Sequence, residues 1–224
     1  MTMEEKIQHR FAAAAGEYAD NGDGTRSAAQ LDIGPQAVIL EGEFARLRPL
    51  RQNDYGYLYD LSLSAKNNAR WRYRGATPSP ERFVADLWSG VLAQFVVETP
   101  ESRKRAGLVV AYNADLANGT VYLGVLIDNI HHRKVWPLEG VLLFVDYLFQ
   151  NWTFRKVYAE TTEFSAAHFS SGAKILFEEE GRFRDHQYFQ GRYWDYIFYS
   201  LTRKRWEENG RKLLDKFSVL RPTG

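Results

Sequence analysis

The sequence predicts an α/β domain, and three stretches carry that prediction. Val121–Tyr158 reads as strand, basic loop, helix, strand. Ala93–Glu98 with Gly107–Tyr112, and Arg182–Gln190 with Tyr193–Leu201, each read as two apolar runs around a turn, the pattern of a hairpin. Between the first strand and the first hairpin, two segments open on helix-start residues. The predicted order is β, α, α, β, β, β, α, β, α, β, β, which counts seven strands.

Residues 1 to about 38 hold alanine runs, Asn21-Gly22-Asp23-Gly24 and few large apolar groups, so they read as a flexible extension. Ala37–Leu40 is a strand candidate, and Glu43–Leu50 alternates as a strand should. Asn53 or Asp54 caps a helix to about Ser64. Ala69–Gly75 follows, with Arg70, Arg72 and Arg74 alternating with Trp71 and Tyr73. Ser79 caps a second helix and Pro80 takes its first position, with Phe83, Val84, Leu87 and Trp88 turned inward.

Thr120–Ile127 is β-branched and apolar, and Asn118-Gly119 marks a turn before it. A polar, basic loop runs from Asp128 to Lys134. Pro137 then opens a helix in which Leu138, Val141, Leu142, Val145, Leu148 and Phe149 recur at helical spacing. Asn151 ends it, and Arg155–Thr161 is the next strand. Ser165 caps a further helix to about Phe177, Glu178–Gly181 is a turn, the second hairpin follows, and Arg203–Phe217 is a charged closing helix. The chain therefore divides into an extension (1–38), a main domain (39–202) and a C-terminal helix and tail (203–224).

In 224 residues, 45% hydrophobic and 15% aromatic content is enough for a substantial core. A net charge of +1 gives no global attraction to nucleic acid or to an acidic membrane. The absence of cysteine excludes disulfides, thiolate metal sites and a cysteine nucleophile, and fits a cytoplasmic protein. The longest apolar run, Gly140–Phe149, contains Asp146 and is too short to span a bilayer. The adjacent His131-His132 pair lacks metal-ligand spacing, so no metal is expected.

A loop feeding a helix N-terminus presents unpaired N–H groups and the positive end of the helix dipole, a place for an anion. The plain alternative for 121–158 is a crossover with no ligand. Three segments add to this reading. They are Ala45–Arg51 with Asp54, Leu143–Val157 (LFVDYLFQNWTFRKV), and Glu180–Asp195 (EGRFRDHQYFQGRYWD) with Tyr199–Thr202. Together they resemble the GNAT superfamily of N-acetyltransferases, in particular the branch that acetylates ribosomal-protein N-termini.

The resemblance implies a mixed, mostly antiparallel seven-stranded sheet flanked by helices. Its fourth and fifth strands splay to admit the pantetheine arm of acetyl-CoA or a longer acyl-CoA. The family's pyrophosphate motif falls on His132–Pro137, where Val135 and Pro137 occupy the two small-residue positions, so the loop is degenerate. Val125, Leu126 and Ile127, with His132, Arg133, Lys134, Val135, Trp136 and Ser165, are the implied donor-binding residues. Arg133 and Lys134 supply charge in place of the lost backbone donors. An acyl carrier protein is the alternative donor, since it brings the same arm without a pyrophosphate.

In such a reaction an amine attacks a thioester, and protons must leave the amine and reach the thiolate. The family's leaving-group donor position falls on His168, with Ser170 and Ser171 nearby. Glu160, Glu163 and Asp128 are the candidate bases. Arg70, Trp71, Arg72, Tyr73 and Arg74 lie where the family shapes its acceptor site. The function expected is transfer of an acyl group to a primary amine, the acceptor being a small molecule or peptide. The alternative is a GNAT-fold protein that binds a ligand or partner without catalysis.

Overall fold

A computed structural model describes residues 38–65, 67–128, 136–166 and 176–219. Eight strands form one sheet: β1 (Leu40–Glu41), β2 (Arg46–Pro49), β3 (Val91–Glu98), β4 (Arg105–Asp115), β5 (Thr120–Ile127), β6 (Lys156–Thr162), β7 (Glu178–Phe189) and β8 (Arg192–Thr202). Their order across the sheet is β1-β2-β3-β4-β5-β6-β8-β7. Every neighbouring pair is antiparallel except β5 and β6. The fold expected from sequence is present, with eight strands in place of seven. The added strand is β1, two residues that pair with Leu47 and Arg46 of β2.

Helices cover both faces. On one side lie α1 (Tyr55–Leu63), which follows a short 3-10 turn at Gln52–Asp54, and α2 (Pro80–Leu87). Their Leu58, Leu61, Phe83 and Leu87 pack on Val96, Leu108 and Leu126 of the sheet. We call this the front face. On the back, α3 (Trp136–Asn151) presses Leu142, Phe144, Val145, Leu148 and Phe149 onto Leu47, Val97, Val109, Val121 and Val157. The periodicity of α3 is as expected, except that Leu138 and Val141 are only partly buried while Phe144 is fully so.

After β8 the chain re-enters helix through Arg203–Arg205 and a π-helical turn at Trp206–Gly210, then α5 (Arg211–Val219). Arg203 closes the end of α3. Its guanidinium donates to the carbonyls of Phe149 (2.7 Å), Trp152 (2.6 Å) and Phe154 (2.8 Å), groups a helix end leaves unpaired. No helix among the described residues is long and apolar enough to cross a membrane.

Two expected boundaries move. Glu178–Gly181 belongs to β7 instead of a turn, because each glutamate finds a cation: Glu178 pairs with Arg205, Glu179 with Arg182 and Glu180 with Lys156. Ser165 does not cap its helix. The helical turn α4 starts earlier (Glu163–Ala166), and the Ser165 hydroxyl accepts from Thr162 Oγ1 at 3.1 Å. Ser79 does cap α2, accepting from the Arg82 amide.

Asp54 is not a simple cap. It lies at the end of the 3-10 turn, 1% exposed, and its carboxylate takes both Arg48 Nη1 (2.7 Å) and Nη2 (2.9 Å) as well as the Arg51 amide (2.8 Å). Arg48 Nε donates to Glu98 (2.6 Å), whose other oxygen accepts from Arg46 (2.7 Å). This chain of charges ties β2, β3 and the start of α1 together.

A second buried carboxylate, Glu139 in the first turn of α3, accepts the amides of Glu43 (2.8 Å) and Phe44 (2.6 Å). It thereby clamps the β1–β2 turn onto the back helix. Burial pushes its pKa up against those amide bonds.

Candidate active site

The sheet opens in one place. β5 and β6 pair only at Thr120–Lys156, Val121–Val157 and Tyr122–Tyr158. Beyond that point β5 stays paired with β4 through Ile127, and β6 stays paired with β8 through Thr162. The two strands no longer pair with each other, so a wedge opens between 123–127 and 159–162. On the back face the wedge leaves Val125 37% exposed, although β5 is an inner strand. Leu126 is buried in the front core and Ile127 is half-buried, so what these positions turn toward the wedge is main chain.

The front face beside the wedge is lined by tyrosines. Register sets Tyr112 of β4 opposite Tyr122 of β5, and Tyr122 opposite Tyr158 of β6. Their rings stand 5.6 and 5.3 Å apart. Glu160, two residues past Tyr158, falls on the same face where the strands have separated. Tyr112 donates its hydroxyl to Glu160 Oε1 at 3.1 Å, so this bond crosses from β4 to β6. Tyr196 of β8 stands close enough to feel the same carboxylate. Burial first, and the Glu160 charge second, push both tyrosine hydroxyls well above their ordinary pKa, so both stay protonated.

Trp71 and Arg74 close the site from the loop between α1 and α2. A Cβ at Gly124 would lie 2.8 Å from Val110 Cγ1 and 3.3 Å from the Trp71 ring, so the missing side chain is what lets that ring settle on β5. Gln187 of β7 holds the loop by donating to the Ala69 carbonyl at 3.1 Å. Arg74 takes a left-handed backbone (φ 47°). It donates to the Tyr196 hydroxyl at 3.3 Å and stacks over that ring at 5.2 Å.

The candidates read from sequence thus separate. Glu160, Trp71 and Arg74 come together. Arg70 lies over the Phe164 ring at 5.6 Å, near the same wall. Arg72 and Tyr73 turn toward α2, where Arg72 donates to the Asp86 carbonyl and Tyr73 donates to the Asp86 carboxylate at 3.4 Å. Glu163 is an exposed residue of α4, 3.8 Å from Arg182. Trp136 is 4% exposed and belongs to the back core. His132, Arg133, Lys134, Val135 and His168 lie outside the described residues, as do Ser170 and Ser171.

Tyr112, Tyr122, Tyr158, Tyr196 and Gly124 were not singled out from sequence. A lone glycine inside VYLGVLI is a signal of close approach, and Gly124 is such a residue.

No protein-family model matches this chain, and no curated protein matches it. Solved structures do. A GCN5-related N-acetyltransferase from Brucella melitensis superimposes with a TM-score of 0.64 at 24% identity, over 81% of this chain and 86% of its own. A probable GNAT-family acetyltransferase from Chromobacterium violaceum gives 0.62 at 22%, over 85% and 96%. Spermidine N-acetyltransferase from Vibrio cholerae, solved with CoA and spermine, gives 0.63 at 19%, over 73% and 98%. The fold of this chain is the GNAT acetyltransferase fold.

Proposed function

We propose that this chain is an N-acyltransferase that moves an acetyl or longer acyl group from a pantetheine thioester to a primary amine by direct attack. The observation that carries the proposal is the wedge between β5 and β6, which opens just where Glu160 and its tyrosines begin. The wedge fits an extended arm, because 123–127 of β5 have no strand partner on that side and Val125 offers apolar surface. The resemblance to amine acetyltransferases, one of them solved with CoA and spermine, supports the same reading.

In this reading the donor supplies the thioester. Glu160 holds the incoming ammonium and takes its proton, leaving a neutral amine. The amine nitrogen bonds to the acyl carbon, gives up its second surplus proton to solvent, and the carbon–sulfur bond breaks. The thiolate takes a proton from His168, and His132, Arg133, Lys134 and Val135 are the residues proposed to meet the donor's phosphates. Tyr112 fixes the Glu160 carboxylate, which locates the amine beside the wedge.

The test is a melting titration with CoA, acetyl-CoA and an acyl-loaded carrier protein, followed by thiol-release assays against primary amines. A ligand that binds only the native state raises the melting temperature. Stabilisation by CoA or acetyl-CoA supports acyl-CoA as donor, and stabilisation by the loaded carrier alone supports the carrier. No shift with any of them rejects the transferase in favour of a non-catalytic binding protein.

A further inference from the structure

Glu160 and Arg74 are opposite charges on either side of the tyrosine wall. Arg74 donates to Tyr196 Oη, Glu160 accepts from Tyr112 Oη, and Tyr196 stands near enough to Glu160 for that charge to raise its pKa. Among the described residues Arg74 makes its one side-chain hydrogen bond to the neutral Tyr196 hydroxyl, and no carboxylate lies within ion-pair distance of it. Among the described residues Glu160 likewise accepts from Tyr112 and not from a cation.

A guanidinium has five donors in a planar fork suited to a carboxylate, so most of the Arg74 fork is uncommitted. The chain also holds it in an unfavourable backbone. A left-handed arginine is uncommon, and here it leads into Gly75 (φ 98°), whose amide bonds back to Asn68. The turn directs the Arg74 guanidinium onto the tyrosine wall.

We infer that the acceptor is a zwitterion, an α-amino acid whose amine is received by Glu160 while its carboxylate is received by Arg74. The two groups sit on one carbon, and they would bridge the gap between Glu160 and Arg74. Binding then completes both half-made charge pairs at once. A decarboxylated amine of the same skeleton completes only one. The inference rests on the transferase reading and adds the acceptor class to it. In the reaction the α-ammonium loses one proton to Glu160 and a second to solvent as it gains the acyl group, and the α-carboxylate stays ionised on Arg74 throughout.

The experiment compares matched pairs as acceptors with acetyl-CoA: L-ornithine and putrescine, L-histidine and histamine, L-tyrosine and tyramine. Thiol release and acceptor-dependent melting shifts are both read. At least one amino acid should be preferred over its decarboxylated partner by about 10-fold or more in kcat/KM, the scale of a charge-assisted hydrogen-bond pair. Arg74→Asn, which keeps a residue that tolerates the left-handed backbone, should collapse that preference toward one through KM. Arg74→Lys should retain part of it.

Equal or better use of the decarboxylated amines, or a preference that survives Arg74→Asn, overturns the inference and leaves the transferase standing. Neither turnover nor a melting shift with any of the amino acids also overturns it. The transferase itself is judged separately, by the CoA-induced shift.

Discussion

Two sets of arginine and carboxylate, one under α1 and one at the wedge, end differently. In the first, Arg48 gives both terminal nitrogens to Asp54 and Nε to Glu98, and Glu98 takes Arg46 as well. The charges close on themselves inside the protein. In the second, Arg74 stops at the hydroxyl of Tyr196 and Glu160 at that of Tyr112. The closed cluster lies under α1, between strands that are paired throughout. The open one stands at the wedge, the place where the sheet parts. A closed set of charges holds elements in place, whereas an open set has capacity left for a ligand.

The sharpest way to break this contrast is to neutralise one carboxylate in each cluster. Glu160→Gln should lower turnover with the best amine by ~10²–10⁴-fold, the range of a positioned general base, while the unfolding midpoint in urea stays within measurement error of the parent. A large loss of stability with little loss of turnover would make Glu160 structural. Asp54→Ala should do the reverse. Removing Asp54 takes the carboxylate from both terminal nitrogens of the buried Arg48 and leaves it only the Glu98 carboxylate, at about 3 kcal/mol by equilibrium unfolding. Turnover per folded molecule should hold.

The closed cluster also sets a pH dependence. Burial raises the Asp54 pKa, but the Arg48 bonds, the Arg51 amide and the nearby positive charges outweigh it, and the folded pKa ends below the ordinary value. Its stabilisation is therefore present above the unfolded carboxylate pKa and is lost as pH falls through the folded one. Acid unfolding followed by circular dichroism should show this loss in the parent, and Asp54→Ala should flatten it.

Smaller effects probe the frame of the open cluster. Gly124→Ala sets a methyl against Val110 and Trp71, with an expected loss of about 1–3 kcal/mol and a change in tryptophan fluorescence as the Trp71 ring moves. Tyr112→Phe removes the hydroxyl that donates to Glu160. It should cost about 1 kcal/mol of transition-state stabilisation, read as a several-fold fall in kcat/KM.

Much of the frame was legible in the residues. The β-branched run before the basic loop, the helical spacing after Pro137 and the Ser79-Pro80 start each express local physics, and each appears where expected. What escaped depends on distant partners. Three successive glutamates read as a turn because strand propensity is low for them, yet Arg205, Arg182 and Lys156 neutralise them within β7. The strand at Leu40–Glu41 is followed by a turn that a carboxylate about a hundred residues away holds in place.

The site shows the same limit. Glu160 was visible as a carboxylate at a strand end. The tyrosines beside it come from β4, β5, β6 and β8, and only the sheet register brings them to one wall. Trp71 and Arg74 were legible as members of an arginine–aromatic run, but which of that run would face the sheet was not. Alternation in the run does not say which side the turn presents, and Gln187 and the bare Gly124 decide it.

The most direct measurement is amide hydrogen exchange along β5 with and without acetyl-CoA. The wedge account predicts added protection within 123–127, where the strand lacks a neighbour toward β6, and little change at 120–122, where β6 already pairs with it. Protection absent from 123–127 while acetyl-CoA is bound, or spread evenly over the strand, would mean that the donor does not enter between β5 and β6.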